Sequence, residues 1–451
     1  MIDTGVFRAY DLRGLYPEQI NNDFAYTLGQ SFGSYVLKQN INEVLVAHDN
    51  RLSSPGLEQR LVEGLLSTGV NVIRLGLVTT PMYYYARVLL NKWAGLMITA
   101  SHNPKEYNGF KISFTNVGNA AGKDIADFKD FTVAGNYLQG SGTVSEYDIE
   151  EEYLNLIKNS LNFGEKKIRA VFDCGNGTVS VYLKKVLDLL PIEYDLIYCD
   201  SDGTFPNHHP DPSVASNLVD LQKRVVELGY DLGIALDADG DRVRVIDEQG
   251  NIINSDVLMI MFYRYMNDSL SVRKAIFDVK CSKTLLDELD KLNIEKVMWR
   301  TGNSYLYRKV HEENVDFAAE YSGHVFFNDR FPGIDDGLYA GLRLAEILSK
   351  TDYKVSDLYA GINHYYSTDE IKYKVTEETK FEIVEKVKEY ALNKGYEVID
   401  IDGVRASFPD GWALIRASNT GPDLTLRFEA VTNERKIEIE EEFISILDSL
   451  K

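Results

Sequence analysis

Residues 99–111 read Thr-Ala-Ser-His-Asn-Pro-Lys-Glu-Tyr-Asn-Gly-Phe-Lys and follow an apolar run at 94–98 that is typical of a buried strand. Asn103-Pro104 is a frequent turn starter and Asn108-Gly109 a tight-turn pair, so we expect turns after Ser101. A serine at the carboxyl end of a strand, held by such turns, exposes its hydroxyl for reaction. An unreactive strand-to-turn junction has the same local pattern, so the motifs elsewhere in the chain must decide.

Strands and helices alternate around this stretch. An apolar strand is predicted at 44–48, a helix from Ser53 to about Ser67, and a further strand at 72–76. Ser53 is the expected N-cap of that helix, because Pro55 follows near its first turn. This alternation is typical of a mixed or parallel sheet with helices packed on it.

Later strands end in polar motifs. Short apolar runs that precede such motifs lie at 168–172, 232–236, 275–277, 297–299 and 317–319. In open α/β sheets, ligands bind just outside the carboxyl ends of the strands. The sequence therefore predicts several successive α/β units whose polar loops form binding sites. Toward the C-terminus we expect a helix at 380–393, then strands, then an acidic helix at 434–450.

Composition is that of a globular protein. The 451 residues are 44% hydrophobic and 26% charged, with a net charge of −21, and length suggests about three domains. This negative charge argues against nucleic acid or an anionic membrane as a partner. We expect a cytoplasmic protein, because its three cysteines are widely spaced, no signal peptide is recognisable at the N-terminus and no long apolar span is present.

Asp237-Ala-Asp-Gly-Asp241 places three carboxylates at alternate positions between two apolar runs. Converging hard oxygen ligands suit a divalent cation such as Mg²⁺. An EF-hand loop is an alternative, since Glu248 falls at its last position, but Arg242 occupies the position that needs glycine. An acidic surface turn is the other alternative.

Two later motifs suit a sugar phosphate. Residues 416–422, Arg-Ala-Ser-Asn-Thr-Gly-Pro, offer a guanidinium, hydroxyls, an amide and backbone N–H groups to a phosphate. Residues 320–324, Glu-Tyr-Ser-Gly-His, offer a carboxylate and a hydroxyl to sugar hydroxyls, although a lone histidine is more often structural. A simple hairpin turn would also explain the first motif.

Basic residues recur at or beside these loops. Their placement in an acidic chain predicts a cleft of locally positive charge, although each alone is compatible with an exposed surface position. The set comprises Arg8, Arg13, Arg51, Lys111, Arg242, Lys280 and Arg416.

Taken together, these motifs resemble the α-D-phosphohexomutase family, of the phosphomannomutase/phosphoglucomutase kind. The matching stretches are FRAYDLRG from residue 7, TASHNPKEYNGFK from 99, DADGDRVRVID from 237, EYSGHVFF from 320 with DDG at 335, and RASNTGPDLTLRFEA from 416. They span almost the whole chain. The departures are Asn303, where histidine is expected, and Tyr321, where methionine is frequent.

The resemblance implies a multi-domain α/β fold with three similar mixed α/β domains and a smaller C-terminal α+β domain around a central cleft. We place the domains at 1–145, 146–250, 251–368 and 369–451. The implied partners are small sugar phosphates, with the protein as a monomer or homodimer. The implied activity is an isomerase reaction between hexose 6-phosphate and hexose 1-phosphate of mannose and/or glucose.

The resemblance also implies roles for individual residues. Ser101 would carry the phosphoryl group and, with Asp237, Asp239 and Asp241, bind Mg²⁺. A hexose 1,6-bisphosphate would be the intermediate and activator. The implied catalytic set adds Lys111 and His324 for proton transfer, and Arg8, Arg13 and Arg242 around the phosphoryl group. The implied substrate-binding set is Glu320, Ser322, His324, Arg416, Ser418, Asn419, Thr420, Lys280 and His102.

Other functions remain possible at this point. A phosphoglucosamine mutase on the same scaffold is the main alternative, and a non-catalytic sugar-phosphate-binding protein is a second. A phosphatase with an aspartyl nucleophile is disfavoured, because Asp241 occupies the position where its motif has threonine or valine.

Overall fold

A computed structural model describes residues 3–116, 118–418 and 421–450. The chain forms two compact units. The first contains the described residues up to Asn254, with Tyr307–Phe317 and Ser322–Leu358; the second contains Ser255–Leu306, Ala318–Tyr321 and the described residues from Tyr359 onward. None of the helices in the described ranges combines the length and the apolar character needed to cross a bilayer.

Strands and helices alternate along most of the described chain. The strands are β1 Leu12–Leu15, β2 Glu43–His48, β3 Asn71–Leu77, β4 Gly95–Ile98, β5 Tyr107–Ser113, β6 Val144–Glu146, β7 Ile168–Asp173, β8 Ile192–Ile197, β9 Leu232–Leu236, β10 Val243–Asp247, β11 Ile252–Ile253, β12 Lys274–Asp278, β13 Glu295–Trp299, β14 Phe317–Ala319, β15 Val325–Phe327, β16 Tyr366–Ser367, β17 Ile371–Lys374, β18 Glu397–Ile399, β19 Val404–Phe408, β20 Gly411–Ala417 and β21 Asp423–Ala430. The α-helices are α1 Asn22–Leu37, α2 Ser54–Leu66, α3 Thr80–Leu89, α4 Lys123–Ala134, α5 Glu150–Ser160, α6 Leu183–Leu187, α7 Val219–Leu228, α8 Ser255–Met266, α9 Lys283–Lys291, α10 Asn303–Glu313, α11 Gly337–Ser349, α12 Val355–Leu358, α13 Lys380–Asn393 and α14 Asn433–Ser449.

The first sheet of the first unit has the strand order β1-β5-β4-β2-β3-β6. Strand β2 pairs in parallel with β3 and β4, whereas β5 runs antiparallel to β4 and β1. Phe110 and Ile112 of β5 belong to the core that includes apolar residues of α1 and α2. On the opposite face, the Ser113 hydroxyl lies 3.1 Å from the hydroxyl of Tyr83 in α3. Helices therefore cover both faces, which confirms the predicted mixed α/β sheet.

One local prediction around this sheet is wrong, and another, the N-cap at Ser53, is confirmed in position but not in its hydrogen bond. Asn108-Gly109 is not a turn but part of β5, where Gly109 pairs with Arg13 of β1. A Cβ atom at Gly109 would lie 2.3 Å from the Leu12 carbonyl oxygen, so this glycine permits close backbone approach. Ser53 does not cap α2 with its side chain; its hydroxyl accepts a hydrogen bond from Asn108 at 2.7 Å.

The second sheet of the first unit has the order β11-β10-β9-β7-β8. Strand β7 is parallel to β8 and β9, and β10 is antiparallel to β9. Helix α7 packs on one face through Leu221 and Val225. Helix α11, buried along its whole length, packs closely on β9, because a Cβ atom at Gly341 would lie 2.8 Å from Ile234. The β9–β10 connection carries the predicted aspartate motif.

In the second unit, β12 lies between the parallel strands β13 and β14. The C-terminal sheet is antiparallel, with the order β16-β21-β20-β19-β18 and with β17 also paired to β21. Leu424, Leu426 and Phe428 of β21 face the core that α13 and α14 share. The alternate residues Thr425 and Arg427 are equally buried and face the other way. This sheet is therefore amphipathic with a buried polar face.

Candidate active site

Ser101 follows the carboxyl end of β4 and adopts a left-handed backbone conformation, with φ of 49°. Such a conformation is uncommon for a residue other than glycine and is held by surrounding contacts. The Ser101 amide donates to the Thr99 hydroxyl at 2.9 Å. The Ser101 hydroxyl donates to Oδ2 of Asp237 at 3.1 Å and lies 3.2 Å from Nδ1 of His102. The predicted reactive serine therefore lies beside the aspartate motif.

Arg51 holds the loop that carries Ser101. Its guanidinium donates to the carbonyl oxygens of Ser101 and Asn103, each at 2.6 Å, and to that of Pro104 at 2.8 Å. Asp49 accepts from its Nε at 3.1 Å. Burial lowers the pKa of Arg51. The expectation that Arg51 adds to a positively charged binding surface is wrong, because its donors serve the backbone of this loop.

Asp237, Asp239 and Asp241 are all fully buried, and one carboxylate oxygen from each lies within 4.8 Å of the others. The Lys111 ammonium donates to Asp239 at 2.8 Å and also contacts Asp241. Burial and the neighbouring charges of Asp241 and Asp239 raise the pKa of Asp237 well above its ordinary value. For Asp239, burial raises the pKa, but Lys111 and Thr80 outweigh it and the net change is downward. The motif thus holds three acids in unequal environments.

This donor set fits a divalent cation. Oδ1 of Asp239 and Oδ1 of Asp241 are buried and make no hydrogen bond within the described part of the chain. Buried carboxylate oxygens without a donor are costly unless a cation coordinates them. The EF-hand alternative does not fit, because strands β9 and β10 flank the loop and Glu248 accepts from the Ser356 amide at 3.3 Å.

His324 connects the aspartate motif to two further charged residues. Its Nδ1 lies 2.8 Å from Asp335 and 3.6 Å from Asp241, while Nε2 accepts from Nε of Arg242 at 3.0 Å. This arrangement assigns the ring proton to Nδ1 and leaves Nε2 as an acceptor. Burial lowers the pKa of Arg242, but Asp237 and Asp241 outweigh it and raise the pKa above its ordinary value.

Three other predicted residues of the first unit are Arg13, His102 and Arg8. Arg13 is buried and donates to Asn103 of the serine loop at 2.9 Å and to Asp11 at 2.6 Å. His102 has its Nε2 4.0 Å from Asp211. Burial, with Arg242 and Arg13, lowers the pKa of His102 well below its ordinary value, so the ring is neutral. Arg8 is half-buried, and its amide donates to the Asp11 carbonyl at 2.8 Å.

In the second unit, Lys280 follows the carboxyl end of β12 and is surrounded by acids. Its ammonium lies 2.8 Å from Glu370 and 3.8 Å from Asp278. Burial lowers the pKa of Lys280, but Glu370 and Asp278 outweigh it and raise the pKa. In the same way, burial raises the pKa of Glu370, yet Lys280 outweighs it and brings the pKa down to about 2.

Replacing Glu370 with glutamine should lower the free energy of unfolding at neutral pH. It should also make that free energy fall less as the pH is lowered. Because the folded pKa of about 2 lies below the ordinary 4.5, the Glu370 charge stabilises the fold above about pH 4.5 and loses this effect as pH falls toward 2. We expect E370Q to be less stable than wild type at pH 7 by about 1–3 kcal/mol. Urea midpoints from pH 7 to pH 3 should converge below about pH 4.5. Equal midpoints at pH 7 would contradict this, and E382Q, on the exposed face of α13, is the control.

Arg416 lies near the end of β20 and pairs with Asp402 at 2.9 Å. Asp402 also accepts from the Thr301 amide at 2.9 Å. Ser418 begins the loop that follows, and its carbonyl accepts from the buried ammonium of Lys380 at 2.9 Å. Lys380 thus positions the start of the predicted phosphate loop. The predicted residues Asn419 and Thr420 lie outside the described residues.

The predicted sugar-recognition motif lies at the junction between β14 and β15. Glu320, in the second unit, is buried and accepts from the Gly302 amide. Ser322, in the first unit, is half-buried. The two departures from the family pattern are also in the second unit: Asn303 begins α10, and Tyr321 packs against the guanidinium of Arg427, 3.9 Å from the ring centre.

Several charged residues of these sites were not predicted from the sequence. Asp335 belongs to the matching stretch DDG but had no predicted role; its neighbour Asp336 caps α11 by accepting from the Tyr339 amide. Asp402 and Glu370 had no motif that would reveal them. Arg427 could have been found from the alternation of polar and apolar residues along β21.

Comparisons with known proteins agree with this architecture. Models of the family match in four consecutive regions: phosphoglucomutase/phosphomannomutase alpha/beta/alpha domain I at residues 4–129, domain II at 151–250, domain III at 254–365, and the C-terminal domain at 370–446. A phosphomannomutase/phosphoglucomutase of Pseudomonas syringae is 40% identical over 95% of this chain and 91% of its own. The chain belongs to the phosphoglucomutase/phosphomannomutase family.

Other members of the family extend the comparison. A phosphoglucomutase of Neisseria meningitidis serogroup A is 36% identical over 99% of this chain and 98% of its own. The crystal structure of a phosphoglucomutase/phosphomannomutase family protein from Burkholderia thailandensis, 35% identical, superposes with a TM-score of 0.90 and covers 100% of this chain and 98% of its own. The chain is thus a phosphohexomutase, an enzyme of the isomerase class with the multi-domain fold of that family, and the phosphoglucosamine-mutase alternative is not favoured.

Proposed function

We propose that the enzyme interconverts the 6-phosphate and the 1-phosphate of mannose and glucose through a phosphorylated Ser101. The observation that carries this proposal is the contact of 3.1 Å between the Ser101 hydroxyl and Asp237, within the buried group of aspartates. A hydroxyl positioned beside a metal-binding group is suited to accept and return a phosphoryl group.

The proposed reaction has two transfers. In the first, a free hydroxyl of the hexose monophosphate attacks the phosphorus of phosphoserine 101; a new P–O bond forms, and the bond to Oγ of Ser101 breaks. The product is a hexose 1,6-bisphosphate, which turns so that its other phosphate faces Ser101. In the second transfer, Oγ attacks that phosphate, and the sugar hydroxyl leaves with a proton. The net change moves one phosphate between O6 and O1.

We assign proton transfer to Lys111 and His324. Burial lowers the pKa of Lys111, but Asp239 and Asp241 outweigh it and raise the pKa well above its ordinary value. Lys111 therefore stays charged and acts as the acid that protonates the leaving oxygen. We assign His324 as the base, with Nε2 as the atom that takes the proton once the Arg242 guanidinium has exchanged its bond to this nitrogen for one to the phosphoryl group. Arg242, Arg13 and Arg8 are assigned as the cations around that group.

The cofactor we propose is Mg²⁺, bound by Asp237, Asp239 and Asp241 with a phosphoryl oxygen on Ser101 as a further ligand. When bound there, it would neutralise negative charge on the phosphoryl oxygens. The hexose 1,6-bisphosphate would also act as an activator, because it can phosphorylate an unmodified Ser101.

We assign substrate binding to two groups of residues. Arg416, Ser418, Asn419 and Thr420 would bind the phosphate that does not react, and we keep Lys280, His324 and His102 in the substrate-binding set without assigning them a particular group of the substrate. Glu320 and Ser322 would bind sugar hydroxyls, since a carboxylate accepts from vicinal hydroxyls. Arg416 supports this assignment, because its guanidinium is oriented by Asp402 at 2.9 Å.

We place the domains at 1–145, 146–250, 251–368 and 369–451, and we expect a monomer or a homodimer. Free thiols at Cys174, Cys199 and Cys281 support a reducing compartment, and we propose the cytoplasm.

Kinetics on three pairs of sugar phosphates test the proposed substrate class. We expect glucose and mannose phosphates to be converted with a kcat/KM at least about tenfold above that of glucosamine phosphate, because relatives that align over nearly the whole chain are a phosphomannomutase/phosphoglucomutase and a phosphoglucomutase. A coupled assay for each 6-phosphate product measures this. Preference for the amino sugar would overturn the choice of substrate, and binding without turnover would favour the non-catalytic alternative.

A further inference from the structure

One row of side chains crosses the polar face of the C-terminal sheet. Thr425 of β21 is the register partner of Arg416 in β20 and of Lys372 in β17. Directly opposed residues in an antiparallel sheet point to the same face, with Cβ atoms about 5 Å apart. Lys372, Thr425 and Arg416 therefore lie side by side on the face that carries the proposed phosphate-binding arginine.

The ammonium of Lys372 lies within this row. Its Nζ donates to the Thr425 hydroxyl at 2.9 Å, and the residue stays exposed, so a ligand can reach it. Partial burial of the ammonium lowers its pKa; Glu370 raises it, while Lys280 and Arg416 lower it again. Lys372 thus lies in the field of two other cations.

The two cations beside Lys372 are each paired with an acid. Arg416 pairs with Asp402 at 2.9 Å, and Lys280 pairs with Glu370 at 2.8 Å. Within the described ranges, no carboxylate lies within ion-pair distance of the Lys372 ammonium. Because Glu370 and Asp402 are already paired with Lys280 and Arg416, the Lys372 ammonium is the cation of this cluster best placed to pair with an added anion. In a chain with a net charge of −21, such a cluster is not explained by the overall composition.

We propose that Lys372 binds the phosphate of the sugar phosphate together with Arg416. Phosphate carries close to two negative charges at neutral pH and is bound well by a guanidinium with an added lysine as a point charge. The inference rests on the proposed function, which assigns this phosphate to Arg416. It adds a residue from β17, outside the loop at 416–422.

Lys374 provides a matched control. It lies two residues along the same strand, on the same face, and its register partner is Asp423. Its ammonium pairs with that carboxylate at 2.9 Å, and its side chain is 80% exposed. Removing the Lys374 charge therefore changes the net charge as much as removing that of Lys372, but away from Arg416.

Binding is measured in the full chain carrying Ser101→Ala, which prevents transfer. Glucose 6-phosphate is titrated calorimetrically into this protein and into versions that also carry K372M, K372R or K374M, with glucose as the ligand lacking phosphate. We expect K372M to raise Kd about tenfold or more, K372R to restore most of the affinity, and K374M to stay within about twofold. In enzyme with Ser101 intact, K372M should raise KM with little change in kcat.

An unchanged Kd for K372M, in a protein that binds glucose 6-phosphate normally, would overturn the inference and leave the proposed function intact. An equal loss in K374M would also overturn it, because the effect would then follow net charge. Failure of the parent protein to bind any sugar phosphate, with no turnover in wild type, would instead remove the proposed function. Matching urea midpoints show that each variant is folded.

Discussion

Replacing Ser101 with alanine should abolish phosphate exchange between O1 and O6 of the hexose. Without its hydroxyl the enzyme cannot carry the phosphoryl group, and kcat should fall by roughly 10⁴-fold or more, as for other lost nucleophiles. The fold should persist, because in the described part of the chain the Ser101 hydroxyl contacts the polar side chains of Asp237 and His102 and supports no other element. Steady-state kinetics with glucose 1-phosphate measures the loss.

Intact mass gives an independent measurement of the same prediction. Wild-type enzyme incubated with glucose 1,6-bisphosphate should gain one phosphoryl group, and the S101A enzyme should gain none. Ser145, exposed in β6 of the same unit, is a matched control, and S145A should keep both turnover and phosphorylation. Normal turnover by S101A would rule out the mechanism.

Replacing Asp239 with asparagine should remove metal binding with little damage to the fold. Oδ2 of Asp239 accepts from Thr80 at 2.6 Å, from Thr99 at 3.1 Å and from Lys111 at 2.8 Å, and an amide oxygen can accept the same bonds. The amide nitrogen would replace Oδ1, the oxygen without a hydrogen bond. We expect Mg²⁺ affinity to fall at least about 100-fold, and kcat/KM to fall about 10³-fold or more.

Thermal unfolding separates metal loss from misfolding. Mg²⁺ should raise the Tm of the wild type, because a ligand that binds only the folded state stabilises it, and should leave the Tm of D239N unchanged. Glu248 is the control: E248Q changes the acid that an EF-hand would use and should keep its response to Mg²⁺. If D239N binds Mg²⁺ as tightly as the wild type, Asp239 is not a metal ligand.

Much of the fold could be predicted from periodicity and turn residues. The structure has β9 at Leu232–Leu236 and α13 at Lys380–Asn393, the bounds that the sequence predicts. Such segments combine strong local preference with an apolar face, so that their local and tertiary requirements agree. The motif residues Ser101, Asp237 and Arg416 were also found in this way, because each follows or ends a recognisable strand.

Other features depend on partners distant in the sequence. Strand β17 was not predicted: its residues 371–374, Ile-Lys-Tyr-Lys, alternate between apolar and polar, but the run is only 4 residues long within a polar stretch, and its strand conformation depends on pairing with β21. Asn108-Gly109 has the composition of a turn, but pairing with Gly14 and Arg13 of β1 holds it extended. Asp402 pairs with Arg416, and Glu370 pairs with Lys280. No local sequence pattern links the members of either pair.

The sequence by itself determined which chemical groups the enzyme has and that they follow strand ends. Only the tertiary structure decided which groups meet: Ser101 and Asp237 touch although 136 positions separate them. The tertiary structure also shifts the pKa values of Asp237 and Asp239 in opposite directions. Burial beside two acids raises the pKa of Asp237, whereas contact with Lys111 and Thr80 lowers that of Asp239. Electrostatic energy depends on distance and burial in space, and neither quantity can be obtained from spacing along the chain.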